Sequence, residues 1–325
     1  MTELGSFLVS LLAATFRMST PILIAALGEI FAERSGVINL GVEGIMLMGA
    51  FTTFAGTYFL GSPWIGLLAG ILTGAVMGLL MAFLTVTLTA NQIVCGLVIT
   101  LLGTGLSSFL SRVVFGMFST PPIIQGLEPI HIPVLGDIPV LGSVLFQHNA
   151  LVYFSWLLIP VLYFMLFRTS VGLAIRASGE NPDAAAVLGV HVKALRYVCV
   201  IFGGMMAGLA GGYLSLDVKV FQDYMTGGRG WMAVTLVILG DWEPFRTLAA
   251  SILFGGALAL QFRFQAIAGG AIPAQIWNMA PYIVTLVALV MYARRRTHAE
   301  KCTGRAKKCT QEEAVSVVSS TLAEQ

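Results

Sequence analysis

Long apolar runs, separated by short polar stretches, fill the chain as far as residue 293. Most of them match the roughly 20 residues that an α-helix needs to cross a bilayer, and they are too long for the strands of a membrane barrel. The pattern predicts nine crossings, of which the seventh is short: residues 6–31, 40–60, 64–88, 92–111, 149–167, 196–216, 231–242, 246–264 and 275–293. The predicted fold is therefore an all-α integral membrane protein with eight to ten membrane-spanning helices.

The composition supports this interpretation. The 325 residues are 57% hydrophobic and only 10% charged, whereas soluble domains carry about 25% charged residues. The 36 glycines suit a bundle in lipid, because small residues let neighbouring helices approach closely.

The distribution of basic residues predicts the orientation, because cytoplasmic loops are enriched in Lys and Arg. Nine spans place the two termini on opposite sides. With the C-terminus inside, thirteen basic residues lie in the cytoplasm: Arg34, Arg168, Arg176, Lys193, Arg196, Arg246, Arg294, Arg295, Arg296, Lys301, Arg305, Lys307 and Lys308. The outer side then keeps Arg112, Lys219, Arg229 and Arg263. The N-terminus is therefore predicted outside and the C-terminus in the cytoplasm.

Two segments lie outside the predicted bundle. Residues 113–148 form a long external loop whose prolines forbid a continuous helix: Pro121, Pro122, Pro129, Pro133 and Pro139. This loop fits either an extracellular gate or landing site, or a packed cap over helix ends. Residues 294–325 form a basic, polar cytoplasmic tail that is predicted to be disordered, so the permeation domain is predicted to span residues 1–293.

The polar stretch 168–196 lies between two predicted crossings and contains a signal for a short capped helix. Asn181 can cap it, Pro182 suits its first position, Asp183 meets the positive end of the helix dipole, and Gly189 suits its exit. A simple connector would need only a few turn residues. The segment is therefore predicted to present a surface to a cytoplasmic partner.

Buried polar groups are sparse in the predicted spans, and each invites a reason because charge at membrane depth is costly. Asn39 and Glu43 would share a face if the second helix begins by Asn39. They are candidates for a solute path; the alternative is a carboxylate at a helix start that backbone amides satisfy. Glu29 and Glu33, near the inner end of the first span, are predicted to be interfacial.

Two further pairs are candidates for the solute path. Gln261 and Gln265 lie four residues apart and share a helical face, which suits a neutral, hydrogen-bonding solute or a polar helix end. Trp277 and Asn278 place an aromatic plane beside an amide, which suits stacking on a base. An interfacial aromatic belt explains Trp277 equally well.

The signatures of soluble enzymes are missing from the sequence. It contains no G-x-x-x-x-G-K-[ST] phosphate loop, and no grouping of its His, Ser and Cys residues supports nucleophilic catalysis or a metal site. The sequence therefore favours a transport subunit over an enzyme.

Three segments carry a resemblance to a known family. ALGEIFAERSGVINLGVEGIMLMGAF (residues 26–51), GLAIRASGENPDAAAVLGV (172–190) and GRGWMAVTLVILGDWEP (228–244) closely resemble the permease subunits of bacterial ABC importers. The matching branch includes the ribose and branched-chain amino-acid permeases. The form ERSGVINLGVEG looks most like the nucleoside (guanosine and uridine) subgroup.

The resemblance implies a function and a set of partners. Residues 180–190 would form the coupling helix, with contacts to an ATPase through Arg176, Gly179, Glu180, Asn181, Pro182, Asp183, Ala184, Ala185 and Gly189. The partners would be two cytoplasmic ATPase subunits, a second permease, an external substrate-binding lipoprotein and membrane lipid, with no nucleic acid. ATP and Mg²⁺ would bind the ATPase, and this chain would bind no cofactor.

The resulting prediction is a multi-pass protein of a bacterial plasma membrane that translocates a nucleoside or related polar solute by alternating access. Two alternatives stay open: a sugar permease of the same family, and a self-sufficient secondary transporter or channel.

Overall fold

The computed structural model describes residues 3–116, 122–131 and 141–267, together with single positions between 277 and 290. The chain divides into two units, Met1–Pro281 and Tyr282–Gln325, and every element named here lies in the first. Its N-terminal helices are α1 (Glu3–Arg34), α2 (Val42–Leu60), α3 (Pro63–Ala82), which continues into a π-helical turn (Phe83–Thr87), and α4 (Gln92–Phe115). The middle of the chain holds β1 (Pro129–His131), α5 (Leu141–Leu145), β2 (Gln147–Asn149), α6 (Ala150–Arg168), α7 (Ser170–Glu180) and α8 (Pro182–Val187). The elements α9 (Val192–Val218), α10 (Arg229–Leu239) and α11 (Pro244–Ile267) complete the described bundle.

Six helices of the described residues are long and apolar enough to cross a membrane: α1, α3 with its π-helical turn, α4, α6, α9 and α11. The predicted number of nine is not confirmed. The predicted seventh crossing, 231–242, is wrong, because α10 has 11 residues and reaches only about 16 Å of the roughly 30 Å hydrocarbon core. The predicted ninth, 275–293, lies largely outside the described residues.

The centre of the bundle is a close contact between α2, α3 and α9 that glycine makes possible. Gly74 of α3 packs against Gly204 and Gly208 of α9, and a Cβ atom at Gly74 would overlap the carbonyl oxygen of Gly204. Gly211 of α9 packs in the same way on the carbonyl oxygen of Met46 in α2. Helix backbones that touch directly gain van der Waals contact where lipid offers no hydrophobic drive for association.

At one end of the bundle, β1 and β2 form a short antiparallel pair in which Ile130 faces His148. The ring of His148 is buried, contacts the carbonyl oxygen of Val144 at 2.7 Å, and packs edge-on against Trp156. This burial lowers the pKa of His148. The Ile124 amide donates to the carbonyl oxygen of Lys219 at the end of α9. The described part of the proline-rich loop therefore packs on helix ends, whereas residues 117–121 and 132–140 lie outside the described residues.

The loops that were predicted to be cytoplasmic meet at the opposite end of the bundle. Arg34 at the end of α1 donates to the carbonyl oxygen of Asp241, and Arg196 of α9 donates to the carbonyl oxygen of Ser35. Arg112, predicted on the other side, instead pairs with Asp223, at 3.4 Å. This grouping agrees with the predicted sidedness of the loops, while the orientation of the bundle in a membrane stays a prediction.

Candidate functional site

The segment that joins α6 to α9 folds as two short helices, and its local geometry is the one its sequence predicts. The Asn181 side-chain oxygen accepts a hydrogen bond from the Ala184 amide at 3.1 Å, and Pro182 begins α8. Asp183 lies in the first turn of α8. Gly189 adopts a φ of +85°, which favours glycine. The predicted capped helix is confirmed, although α7 precedes it and the cap separates the two.

The α7–α8 segment is fixed to the bundle by close backbone packing and one arginine. Gly179 packs so tightly on the carbonyl oxygen of Arg34 that a Cβ atom would overlap it. Arg196 donates from Nε to the carbonyl oxygen of Ser35 at 3.0 Å and from Nη2 to that of Ser178 at 3.1 Å. One guanidinium therefore joins α7, α9 and the end of α1.

A cavity of about 420 Å³ lies beside this junction. The guanidinium of Arg34 lies over the rings of Phe167 and Trp242, at 5.9 and 5.7 Å from their centroids, and Glu33 accepts a hydrogen bond from the Trp242 indole. The cavity therefore separates α7 from the connection between α10 and α11. Its lining consists of Glu33, Arg34, Gly36, Ile38, Gln92, Arg176, Gly179, Glu180 and Trp242.

The far side of the α7–α8 segment presents two aliphatic side chains that the sequence analysis did not select. Val187 is 89% exposed and Leu188 is 81% exposed, while Ala185 of the same helix is buried against the bundle. The sequence did contain a signal that could have identified them, because two large aliphatic residues stand beside a turn in an otherwise polar stretch. Exposed apolar residues in such a setting mark a surface for a partner.

The chain between α1 and α2 is not helical, which corrects the predicted pairing of Asn39 with Glu43. Because α2 begins at Val42, Asn39 does not share a helical face with Glu43. Side chains of other helices satisfy the free backbone groups of this stretch, as an irregular segment inside a bundle requires. The Ile38 amide donates to the Gln92 side-chain oxygen, and the Gln92 side-chain amide donates to the Gly36 carbonyl oxygen. The Thr100 hydroxyl donates to the Leu40 carbonyl oxygen, and the Asn39 amide donates to Glu29.

Glu29 is one of these partners and is buried by protein, while its predicted interfacial depth stays a prediction. Its side chain is only 1% exposed and accepts from the Asn39 amide at 2.8 Å. The returning chain covers it, so Glu29 lies inside the bundle.

Glu43 holds the beginning of α10. One of its carboxylate oxygens accepts from the Thr226 hydroxyl at 2.6 Å and from the Gly228 amide at 2.8 Å, and the other accepts from the Gly230 amide at 2.6 Å. An anion at this place satisfies the free amides of a helix N-terminus and its positive dipole end. The alternative interpretation of Glu43, a carboxylate that backbone amides satisfy, describes these bonds, but the amides belong to a distant helix.

Two separate measures place this contact near the middle of the bundle. Along α4, Gln92 contacts Gly36 and Ile38, whereas Gly103, about 16 Å further along the helix axis, packs on Gly44. Along α10, about 16 Å separates the Glu43 contact from the junction near Arg34. Both lengths are about half of a hydrocarbon core, so α10 begins near mid-depth if the junction near Arg34 lies at the edge of that core.

The other predicted solute-path residues lie elsewhere. Gln261 is buried and Gln265 is half-buried on α11, in the half of that helix where Arg263 contacts Ser10 of α1. Trp277 stacks on Phe264 with centroids 5.4 Å apart, and Asn278 lies outside the described residues. The structure therefore does not join Gln261, Gln265 or Trp277 to Glu43. Within the described ranges, no three His, Cys, Asp or Glu side chains group as a metal site would require.

Residues 11–291 match the family model described as the permease component of branched-chain amino acid transport systems. Three relatives align over most of the chain. TsgC13 of Haloferax volcanii, provisionally assigned as a glucose ABC transporter permease, is 39% identical over 90% of this chain and 94% of its own length. The guanosine ABC transporter permease NupQ of Bacillus subtilis is 36% identical over 90% and 95%. The nucleoside ABC transporter permease NupC of Lactococcus lactis is 34% identical over 84% and 89%.

These matches extend across the described bundle, including the α7–α8 segment and the contact between Glu43 and α10. Together with the six apolar helices, they show that the chain is a multi-pass membrane protein that belongs to the family of ABC transporter permeases.

Proposed function

We propose that this chain is the translocating subunit of an ATP-driven importer for a nucleoside or a related small polar solute. The observation that carries the proposal is the α7–α8 segment, which is fixed to the bundle at Gly179 and Arg196 and exposes Val187 and Leu188 on its far side. A cytoplasmic ATPase that binds this surface and moves the α7–α8 segment would also move the ends of α1 and α9. The names of two of the relatives, for guanosine and for nucleosides, support the solute class.

The proposed assembly contains two ATPase subunits, which hold ATP and Mg²⁺, a second permease, and an external binding lipoprotein. The solute path would lie between the two permeases and open alternately to each side. The α7–α8 end of the bundle would face the cytoplasm, with the N-terminus outside. Placing the ATP chemistry on a partner agrees with the permease family of the chain.

A sugar is the second candidate solute, because the 39% identical relative from Haloferax volcanii is assigned to glucose. A self-sufficient transporter would need a buried group that is free to exchange an ion or a proton. Both oxygens of the buried Glu43 accept from backbone amides. Glu29 accepts an amide through Oε1 only, and its buried Oε2 has no hydrogen-bond partner among the described residues, so Glu29 is the group that a self-sufficient transporter would use.

Uptake by the reconstituted transporter tests the proposal directly. Proteoliposomes with the complete assembly should accumulate labelled guanosine or uridine only when the ATPase face is supplied with ATP. Preferred uptake of labelled glucose would support the sugar alternative instead. Gradient-driven uptake by the chain alone, without ATPase, would contradict an ATP-driven importer.

Leu188→Asp is expected to uncouple the transporter. If Leu188 is buried against the ATPase, an unpaired carboxylate there loses the apolar contact and cannot be hydrated, which costs about 2 kcal/mol or more at a central interface position. ATP-driven uptake and co-purification of the ATPase should both fall at least about tenfold. Uptake assays and a pull-down of the assembled complex measure the two effects.

Ala194→Asp is the matched control, because Ala194 is exposed in the first turn of α9 and lies outside the α7–α8 segment. This variant should assemble and transport normally. Normal transport by Leu188→Asp would show that the ATPase does not contact this surface. If a membrane-impermeant reagent added outside intact cells labels Leu188→Cys, the proposed orientation is inverted.

A further inference from the structure

The short helix α10 has one face that packing leaves open. Trp231 and Thr235 are half-buried and Ile238 is exposed, whereas Gly230, Met232, Ala233, Val234, Leu236 and Val237 are buried. The spacings of four and three residues place the open side chains on one side of the helix. Because α10 begins near mid-depth, Trp231 and Thr235 lie inside the membrane and away from the head-group region.

The chemistry of this face differs from that of a surface that meets lipid. The outer stripe of α3 exposes mainly large apolar side chains: Leu68, Leu72, Val76, Leu79 and, in the π-helical turn, Phe83. Thr73 is half-buried there and Thr87 is exposed in the π-helical turn, but the one tryptophan of α3, Trp64, lies in its first turn and not in the middle of the helix. Tryptophan is enriched at membrane interfaces and not at the membrane centre. A Trp and a Thr side by side at mid-depth therefore call for an explanation other than contact with lipid.

We propose that Trp231 and Thr235 contact the transported solute, and that Glu43 is the positioning residue that holds them at mid-depth. This inference rests on the proposed transport function and names the place where the solute is recognised. The indole of Trp231 offers a flat surface for a ring, and an aromatic side chain stacks on any base because every base has a π-face. The Thr235 hydroxyl, bonded to the Trp231 carbonyl oxygen at 3.0 Å, still has an acceptor for a solute hydroxyl or amine.

The support around α10 suits a fixed contact surface. Gly230 packs directly on the backbone of Glu43, and the carboxylate bonds fix the first turn. At its other end the Gly240 amide donates to the Leu236 carbonyl oxygen and the Trp242 indole donates to Glu33. Both ends of α10 are therefore anchored, which sets the position of Trp231 relative to α2. The ligand class that fits is a neutral, ring-containing solute with hydrogen-bonding groups, because the nearby guanidinium of Arg229, at the start of α10, already donates to the carbonyl oxygens of Met225 and Thr226.

Water access in the assembled transporter tests the location without knowledge of the solute. In a background with its native cysteines replaced, Thr235→Cys in membrane vesicles should react with a water-soluble methanethiosulfonate reagent in at least one nucleotide state. Val76→Cys is the matched control, since Val76 is 65% exposed on the apolar stripe of α3, and it should stay unreactive. If Thr235→Cys is as inert as Val76→Cys in every nucleotide state, the face meets lipid or protein and the inference is overturned.

Uptake kinetics test the contact itself. With labelled guanosine, uridine or glucose as probe, Trp231→Ala should raise the KM of the solute that the wild type transports by at least about tenfold. Thr235→Val should raise it about threefold to tenfold, and Thr235→Ser should restore it. Trp64→Ala, on the exposed first turn of α3, and Thr85→Val, which loses an equivalent hydroxyl bond to the Met81 carbonyl oxygen at a buried site, should leave KM unchanged.

The two ways to fail are distinguishable. If the wild type transports a probe and the variants at Trp231 and Thr235 keep the wild-type KM, as the controls do, that result would overturn the proposed contact with the solute. A wild type that transports none of the three probes would contradict the proposed solute class. In that case the reaction of Thr235→Cys alone decides whether this face lies on an aqueous path.

Discussion

Glu43→Ala is expected to produce one of the two largest losses in this protein, because it removes the acceptor for three donors at once. The Thr226 hydroxyl and the Gly228 and Gly230 amides would lose their partner inside the bundle. A buried donor that is left without its acceptor costs about 1–3 kcal/mol, and three donors are affected here, so the total is on the order of 3 kcal/mol or more. We expect a loss of stability of this order, measured by thermal unfolding in detergent, together with loss of ATP-driven uptake.

Conservative variants separate the charge from the shape. Glu43→Gln keeps one acceptor oxygen, but its side-chain NH2 group would face one of the groups that donate to Glu43. This variant should lose about 2 kcal/mol of stability. Glu43→Asp keeps the charge on a shorter side chain and should fall between Gln and wild type in uptake. Glu128→Ala, at an exposed carboxylate beside β1, is the control and should match the wild type. Wild-type stability in Glu43→Ala would show that the contact with α10 contributes nothing to the fold.

Gly211→Ala is expected to prevent normal packing of α9 on α2. A single methyl group at this position would overlap the carbonyl oxygen of Met46 and approach the Ala50 amide nitrogen to 3.0 Å. The obstacles are backbone atoms, so no side-chain rotation can relieve the overlap and the helices must separate. Overpacking of a well-packed core costs about 1–3 kcal/mol and sometimes more, and several glycine contacts along α9 would move together. We expect a sharply reduced folded fraction in size-exclusion chromatography and a lower unfolding midpoint.

Gly105→Ala on α4 makes the same chemical change where there is room. No atom lies within 4 Å of a Cβ built at Gly105, and alanine favours the helix by up to about 1 kcal/mol. This variant should be neutral or slightly stabilised. Equal behaviour of the two variants would mean that the α2–α9 contact tolerates separation and that its glycines do not determine the packing.

Local signals in the sequence were sufficient wherever the interaction is local. Asn181, Pro182 and Gly189 predicted the capped helix because a cap depends on residues within three or four positions. The family was also predictable, since its motifs are continuous stretches of sequence.

The contact between Glu43 and α10 shows where such reasoning ended. Glu43 was recognisable as a costly carboxylate, but its partners lie 183 to 187 residues away, and the nearby Asn39 was chosen instead. The predicted pairing of Asn39 with Glu43 was wrong because it placed the start of α2 too early. No sequence pattern indicates that the helix begins after Gly41 instead of at Asn39.

The sequence by itself determined that the chain spans a membrane as a helical bundle, that a capped helix interrupts the crossings, and that the chain resembles ABC permeases. These properties depend on hydropathy and on short motifs, which are sums over neighbouring residues. Only the tertiary structure decided that α10 is too short to cross a membrane, that Glu43 holds its beginning near the middle of the bundle, and that Val187 and Leu188 are exposed. Each of these depends on which surfaces distant helices bury against one another, and hydropathy contains no information about that pairing.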